Sequence, residues 1–202
     1  MSKLQADFYQ REDVLAISRD LLGKVLYTQF DGNLTSGIII ETEAYAGVTD
    51  QASHAYGGKR TKRTETMYLS GGAVYVYLCY GIHHLFNIVT NKENIPHAVL
   101  IRAIQPQDGI AIMLQRRNKK KIDDTLTAGP GCLTQALGIT VEDSGTSLMN
   151  NLIWLEDQNI FYNNQAILAS PRVGVQYAGK DVNNPWRFRV KNHPWVSPAI
   201  LL

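Results

Sequence analysis

An α+β fold is predicted for this chain: a single mixed domain with a curved, mainly antiparallel β-sheet, flanking helices and a protruding β-hairpin. Three observations carry that expectation. The longest apolar runs, such as GIII (37–40), AVYVYLCY (73–80) and AVLIRAI (98–104), are strand-sized. Two of the strand pairs are joined by short turns, at Asp31-Gly32 and at Gly81 to His84. No repeat, low-complexity tract or linker divides the 202 residues, a length suited to one well-buried core.

The elements follow in order. Acidic Glu12-Asp13 precedes Val14, Leu15, Ile17, Leu21 and Leu22, an amphipathic helix stopped by Gly23. Lys24 to Phe30 reads as a strand, and Leu34 to Tyr45 as its return. A polar loop spans 46–66. The strand 73–80 pairs with 85–91 in a second hairpin, and with a loop slightly longer than the minimum Asn87 falls opposite Tyr77. Residues 98–104 form another strand, 109–117 a short helix, and Cys132–Leu137 a helix after Gly129-Pro130-Gly131. The remainder, 151–196, reads mostly as strands.

Composition excludes more than it selects. Apolar content of 45% and charged content of 19% describe a globular chain. No run is long enough to span a bilayer, and no apolar h-region follows Lys3, so a cytoplasmic location is expected. Cys79 and Cys132 stand 53 positions apart with no C-x-x-C, which fits a reducing compartment. The formal charge is only +2, but cations cluster at Lys59, Arg60, Lys62 and Arg63, and again at 116–121. As a strand, 186–191 would put Arg187, Arg189 and Lys191 on one face and Trp186, Phe188 and Val190 on the other. Single basic runs are usually solvated faces; three of them, with ten tyrosines in the chain, point toward a polyanion.

The chemistry concentrates in ETEAYAGVTDQASHAYGG (41–58). Alternation puts Ile39, Glu41, Glu43 and Tyr45 on one strand face, with the two carboxylates ~7 Å apart. Such a pair suits a glycoside hydrolase, or a strand end fraying into solvent. His54 follows in a glycine-bounded loop; a lone histidine is more often structural. In YVYLCYG, Tyr75 and Tyr77 share a face and Tyr80 sits at the hairpin tip, where a flat rigid ring suits a wedge between stacked bases. Asn87, in a strand, needs partners or an exposed edge. Arg102, inside an apolar strand, must snorkel outward or pair with an acid. Gly-Pro-Gly before a helix offers N–H groups to a phosphate, or is simply a loop. Metal-protease, P-loop and dinucleotide fingerprints do not occur.

Taken together, ETEAY (41–45), the His54 loop, YVYLCYG (75–81), FNI (86–88), LIRAIQP (100–106), AGPGCLTQAL (128–137), SPRVGVQYAG (170–179) and WRFRVKNHPWVS (186–197) resemble the alkyladenine (3-methyladenine) DNA glycosylase family. The resemblance implies one glycosylase domain over 1–202 that works as a monomer on double-stranded DNA containing damaged purines, with no metal or cofactor. It implies that Glu43 is the general base activating a water against C1′, helped by Arg102. Tyr45 and Tyr77 would sandwich the extruded base, His54 would line the pocket, and Asn87 would exclude guanine's amino group. Tyr80 would fill the gap in the stack. Lys59, Arg60, Lys62, Arg63, Arg172, Arg187 and Arg189 would meet the DNA backbone. Ile82 and His83 beside the wedge match no motif, and no leaving-group proton donor is assigned. A non-catalytic RNA-binding β-domain, needing no Glu43, and a carbohydrate hydrolase, using Glu41 as a second acid, are the rival readings.

Overall fold

A computed structural model describes residues 2–197. In chain order its elements are β1 (Ser2–Lys3), α1 (Ala6–Tyr9), α2 (Val14–Asp20), β2 (Val25–Phe30), β3 (Asn33–Tyr45), β4 (Val74–Cys79), β5 (His83–Thr90) and β6 (His97–Pro106). Then come α3 (Ile110–Arg116), α4 (Pro130–Leu137), β7 (Ile153–Asp157), β8 (Ile167–Ser170) and β9 (Arg187–Val190). One sheet holds all the strands in the order β1-β7-β2-β3-β6-β5-β4, and β9 branches from β3 to pair with β8. Every pairing is antiparallel. The α+β expectation therefore holds. The expectation for 151–196 does not: only β7, β8 and β9 are strand there, and turns and coil connect them. Asn, Gly and Pro interrupt each apolar run in that segment before a ladder can extend.

Local chemistry accounts for the helices. Asp13 Oδ1 accepts from the N–H groups of Leu15 and Ala16, a cap worth about 1 kcal/mol, and Gly23 (φ 89°) takes the chain out of α2 in the left-handed region. Ile17 and Leu21 are fully buried against a core that includes Ile39, Phe86, Ile88, Val99, Ile101, Leu133 and Leu137. Each such side chain contributes about 1.5–3 kcal/mol by leaving water, so α2 and α4 are held by their apolar faces rather than by propensity.

The second hairpin is tighter than expected. Cys79 pairs with His83, leaving a three-residue tip in which Tyr80 (φ 51°) and Gly81 (φ 76°) both take positive φ. The Ile82 N–H donates to Cys79 C=O at 3.2 Å, closing the turn. This register puts Asn87 opposite Tyr75 and Leu85 opposite Tyr77, correcting the expected Asn87–Tyr77 pairing. The hairpin rests on α4 just below its tip: Thr134 Oγ1 donates to His84 C=O at 2.7 Å, and His83 packs against Gly131, where even a β-carbon would come within 2.9 Å of its Nδ1. The start of α4 is thus occupied by packing against the hairpin.

Candidate active site

Two bulges aim the site. β3 and β6 run in register at Ile39–Ile104, but the partner of Ala103 is Glu41, leaving Ile40 as an extra residue; the register recovers at Thr42–Ile101, leaving Arg102 extra on β6. A bulge places two consecutive side chains on one side of a sheet. Ile39 and Ala44 therefore face the main core, and Thr42 meets Ser18 of α2, while Ile40 and Ala103 pack in a separate cluster on the opposite side. Ile39 does not share a face with Glu41 and Glu43, contrary to uninterrupted alternation. Glu41, Glu43 and Arg102 lie together on the side to which the bulges turn Ile40 and Ala103.

Both acids are fully buried, and their surroundings differ. Glu41 Oε1 accepts from Arg102 Nε (2.8 Å), Arg187 Nε (2.7 Å) and Ser197 Oγ (2.9 Å), and its Oε2 accepts from the Ser197 N–H (2.8 Å). Burial alone would raise its pKa, but Arg102 and Arg187 outweigh that and hold it below the ordinary carboxylate value. Burial likewise opposes the Arg102 charge, and Glu43 and Glu41 more than compensate, raising its pKa. Glu41 is an ion-pair anchor, with both carboxylate oxygens engaged inside the fold. Glu43 is held more sparingly: Oε2 accepts from Tyr45 O–H at 2.8 Å, Oε1 accepts from the Val173 N–H at 2.8 Å, and Arg102 Nη1 lies 3.4 Å from Oε1.

Joined to Glu43 through the Tyr45 hydroxyl is a narrow slot lined by Tyr45, Ala52, Ser53, His54, Met67, Tyr75, Tyr77, Asn87, Ala98 and Tyr177. Tyr45, His54, Tyr77 and Asn87, widely separated in sequence, thus meet in one cavity. The His54 ring stands edge-on to Tyr77 with centroids 4.6 Å apart, and its Nδ1 is 2.9 Å from the Tyr75 hydroxyl. Burial, then the nearby Arg63 charge, push the His54 pKa down to about 4, so the ring is neutral at pH 7. Burial also raises Tyr45 and Tyr77 well above the ordinary phenol value, so both stay protonated. Asn87 answers the strand-asparagine question by donating from Nδ2 to Tyr75 C=O (3.2 Å) and Leu85 C=O (3.1 Å), which commits its N–H groups to the backbone.

The loop carrying His54 is held from behind. Asp50 is buried, accepts from the N–H groups of Ala46 and Ala52, and forms a two-pronged pair with Arg172 (2.5 and 2.8 Å). Arg172 also donates to Ala44 C=O and lies over the Tyr45 ring at 4.7 Å. Both prongs of the Arg172 guanidinium are thus engaged inside the fold, away from the surface where a phosphate contact was expected. Arg187 is likewise 2% exposed and bound to Glu41, so on the face of 186–191 expected to carry three cations Arg187 turns inward. Arg189 is half-buried. Lys59, Arg60, Lys62 and Arg63 are exposed, but Arg60 is paired with Glu65 at 2.8 Å. In the 116–121 cluster Arg116 and Arg117 tie α3 to α4, through Ala136 C=O and Gln135 Oε1, and Lys119 pairs with Asp123. Tyr80 is 88% exposed at the hairpin tip.

Sequence reasoning missed Tyr75 and Tyr177 as slot walls and the Val173 N–H as a partner of Glu43. Tyr75 carried a signal in its shared face with Tyr77. The other two come from SPRVGVQYAG, whose proximity to Glu43 is a matter of tertiary packing alone.

Comparison with known proteins agrees with this geometry. The chain matches the methylpurine-DNA glycosylase family over residues 7–194. A Chlamydia felis protein named "Putative 3-methyladenine DNA glycosylase" is 48% identical over 186 residues, covering 92% of this chain and 94% of the relative. A Bacillus cereus protein of the same name is 46% identical over 198 residues, covering 94% of this chain and 96% of the relative. With the match spanning nearly the whole fold and all of the slot, this chain belongs to the methylpurine-DNA glycosylase family.

Proposed function

We propose that this chain is a monofunctional DNA glycosylase that turns an alkylated or deaminated purine nucleotide out of the duplex and hydrolyses its N-glycosidic bond, starting base excision repair. The observation that carries the reading is a buried carboxylate, Glu43, set beside Arg102 and hydrogen-bonded to Tyr45, one wall of a slot it forms with His54 and Tyr77.

In this reading the flipped base stacks between Tyr45 and Tyr77. Base–aromatic stacking supplies about 1–3 kcal/mol per base, enough to offset much of the cost of unstacking. Glu43 takes a proton from a water whose oxygen bonds to C1′, while the electron pair of the C1′–N bond leaves with the base. Arg102, held by Glu41, sits by the same carboxylate oxygen as the Val173 N–H and helps orient it. No lysine occupies the Glu43 position, so water rather than an amine attacks and an abasic site remains. Asn87, with both N–H groups tied to carbonyls, is a rigid obstacle where a guanine amino group would lie. Tyr80 fills the vacated stack, and Lys59 and Lys62 meet the backbone of double-stranded DNA, with the protein acting as a monomer. No helix among the described residues is long and apolar enough to cross a membrane, and a membrane has no part in this reading.

Incubation with duplexes carrying one hypoxanthine, and in parallel with methylated DNA, followed by alkaline cleavage, tests the proposal. Product is expected on methylated DNA, and Glu43→Gln is expected to lose it while keeping DNA binding. Undiminished activity in that variant would falsify the general-base role. The carbohydrate-hydrolase reading is disfavoured because both Glu41 oxygens are occupied by Arg102, Arg187 and Ser197.

A further inference from the structure

Each aromatic wall of the slot has an arginine against it, and the two arginines differ in charge balance. Arg172 lies 4.7 Å from the Tyr45 ring centre, with its charge neutralised by the two-pronged Asp50 pair. Arg63 lies 5.1 Å from the Tyr77 ring centre, and its Nη2 is 3.4 Å from His54 Nε2. Among the described residues no carboxylate pairs with Arg63. Arg63 does not line the slot itself. It lines a second cleft with Lys62, Thr66, Val76, Leu78 and Val141, and Tyr77 is common to both clefts. One wall therefore has an unpaired guanidinium against it and the other does not.

We infer that Arg63 is a specificity-determining residue, a cation set against the Tyr77 wall that favours neutral damaged bases over positively charged ones. This rests on the glycosylase reading above, and it is separate from the phosphate contact expected of Arg63. A ring whose π-electrons already face a guanidinium attracts a second cation less, so a charged lesion gains less from stacking on Tyr77. The two charges also repel directly across a partly buried wall. Bond cleavage sharpens the difference. When the C1′–N pair moves onto a neutral base, that base departs with developing negative charge, which Arg63 stabilises. A cationic base departs as a neutral molecule and gains no such stabilisation relative to the free substrate. Water adds to C1′ and its proton goes to Glu43 in both cases, so the chemistry is otherwise the same.

The test compares Arg63→Gln and Arg63→Lys with the wild type on duplexes carrying one hypoxanthine (neutral) or one 7-methylguanine (cationic). The expected result is that Arg63→Gln lowers the kcat/KM preference for hypoxanthine about three- to tenfold, whereas Arg63→Lys, which keeps the charge, retains most of it. Parallel losses on both duplexes would mean a structural or phosphate-contact role and overturn the inference, as would equal shifts in the two variants. Binding gives a second readout independent of turnover: in the Glu43→Gln background, Arg63→Gln should tighten 7-methylguanine duplex relative to hypoxanthine duplex. An unchanged ratio of dissociation constants overturns the inference. If the wild type releases neither base and the Glu43→Gln protein does not distinguish either lesion from undamaged duplex, the glycosylase reading itself fails, and the Arg63 role with it.

Discussion

At the scale of the residue, the two acids of ETEAY diverge because of their neighbours rather than their own chemistry. Glu41 meets two guanidinium groups and a backbone N–H and is consumed by them; Glu43 keeps two neutral donors and a more distant arginine. Removing one partner of such a buried pair usually costs about 3–5 kcal/mol, which is why Glu41 reads as a support for Arg102 and not as a reactant. His54 carries a pH consequence. Its folded pKa of about 4 lies below the unfolded value of about 6.5, so its neutral form is the one that folding favours. The stabilisation is present above about pH 6.5 and is lost as pH falls through that value toward 4, because the unfolded chain then binds the extra proton. Urea unfolding at a series of pH values is expected to give stability that rises with pH in this window, with a shallower slope for His54→Gln. Equal slopes in the two proteins would remove His54 as the titrating group.

At the scale of the element, the β4–β5 hairpin is built to present its tip. A non-glycine residue at φ 51° is uncommon and costs about 1 kcal/mol, and at Tyr80 that cost accompanies a ring left 88% exposed. The return for that strain lies outside the free protein, which is what a wedge entering a base stack requires. Tyr80→Ala is expected to weaken binding to lesion-containing duplex by about 1–3 kcal/mol, with thermal stability unchanged or slightly raised. A fluorescence anisotropy titration reporting equal affinity for the two proteins would sink the wedge. The bulges in β3 and β6 are the complementary device: they add a residue to each strand and so turn Ile40 and Ala103 onto the side where Glu41, Glu43 and Arg102 point. Strand alternation was legible from the sequence, but a bulge is a property of two strands in register, and neither strand announces it alone.

At the scale of the molecule, charge is sorted rather than abundant. Arg172 and Arg187 lie in the interior, Arg116 and Arg117 tie α3 to α4, and the exposed cations beside the slot are those of 59–63. If Lys59 and Lys62 each cover a phosphate, replacing both by Gln should lower the slope of log K against log salt by roughly two, in proportion to the lost contacts. An unchanged slope would move the backbone contacts elsewhere. The antiparallel α+β class, the two hairpins, α2 with its Asp13 cap and Gly23 stop, and the motif set that names the family were all determined by the sequence itself, because period, turn residues and caps act over a few neighbours. What only the tertiary structure decided is which charges face inward, which of two carboxylates is left available, and that Tyr75, Tyr177 and Val173 join the slot. Those outcomes depend on burial and on groups more than a hundred positions apart, such as Glu43 and Val173, finding one another across the sheet.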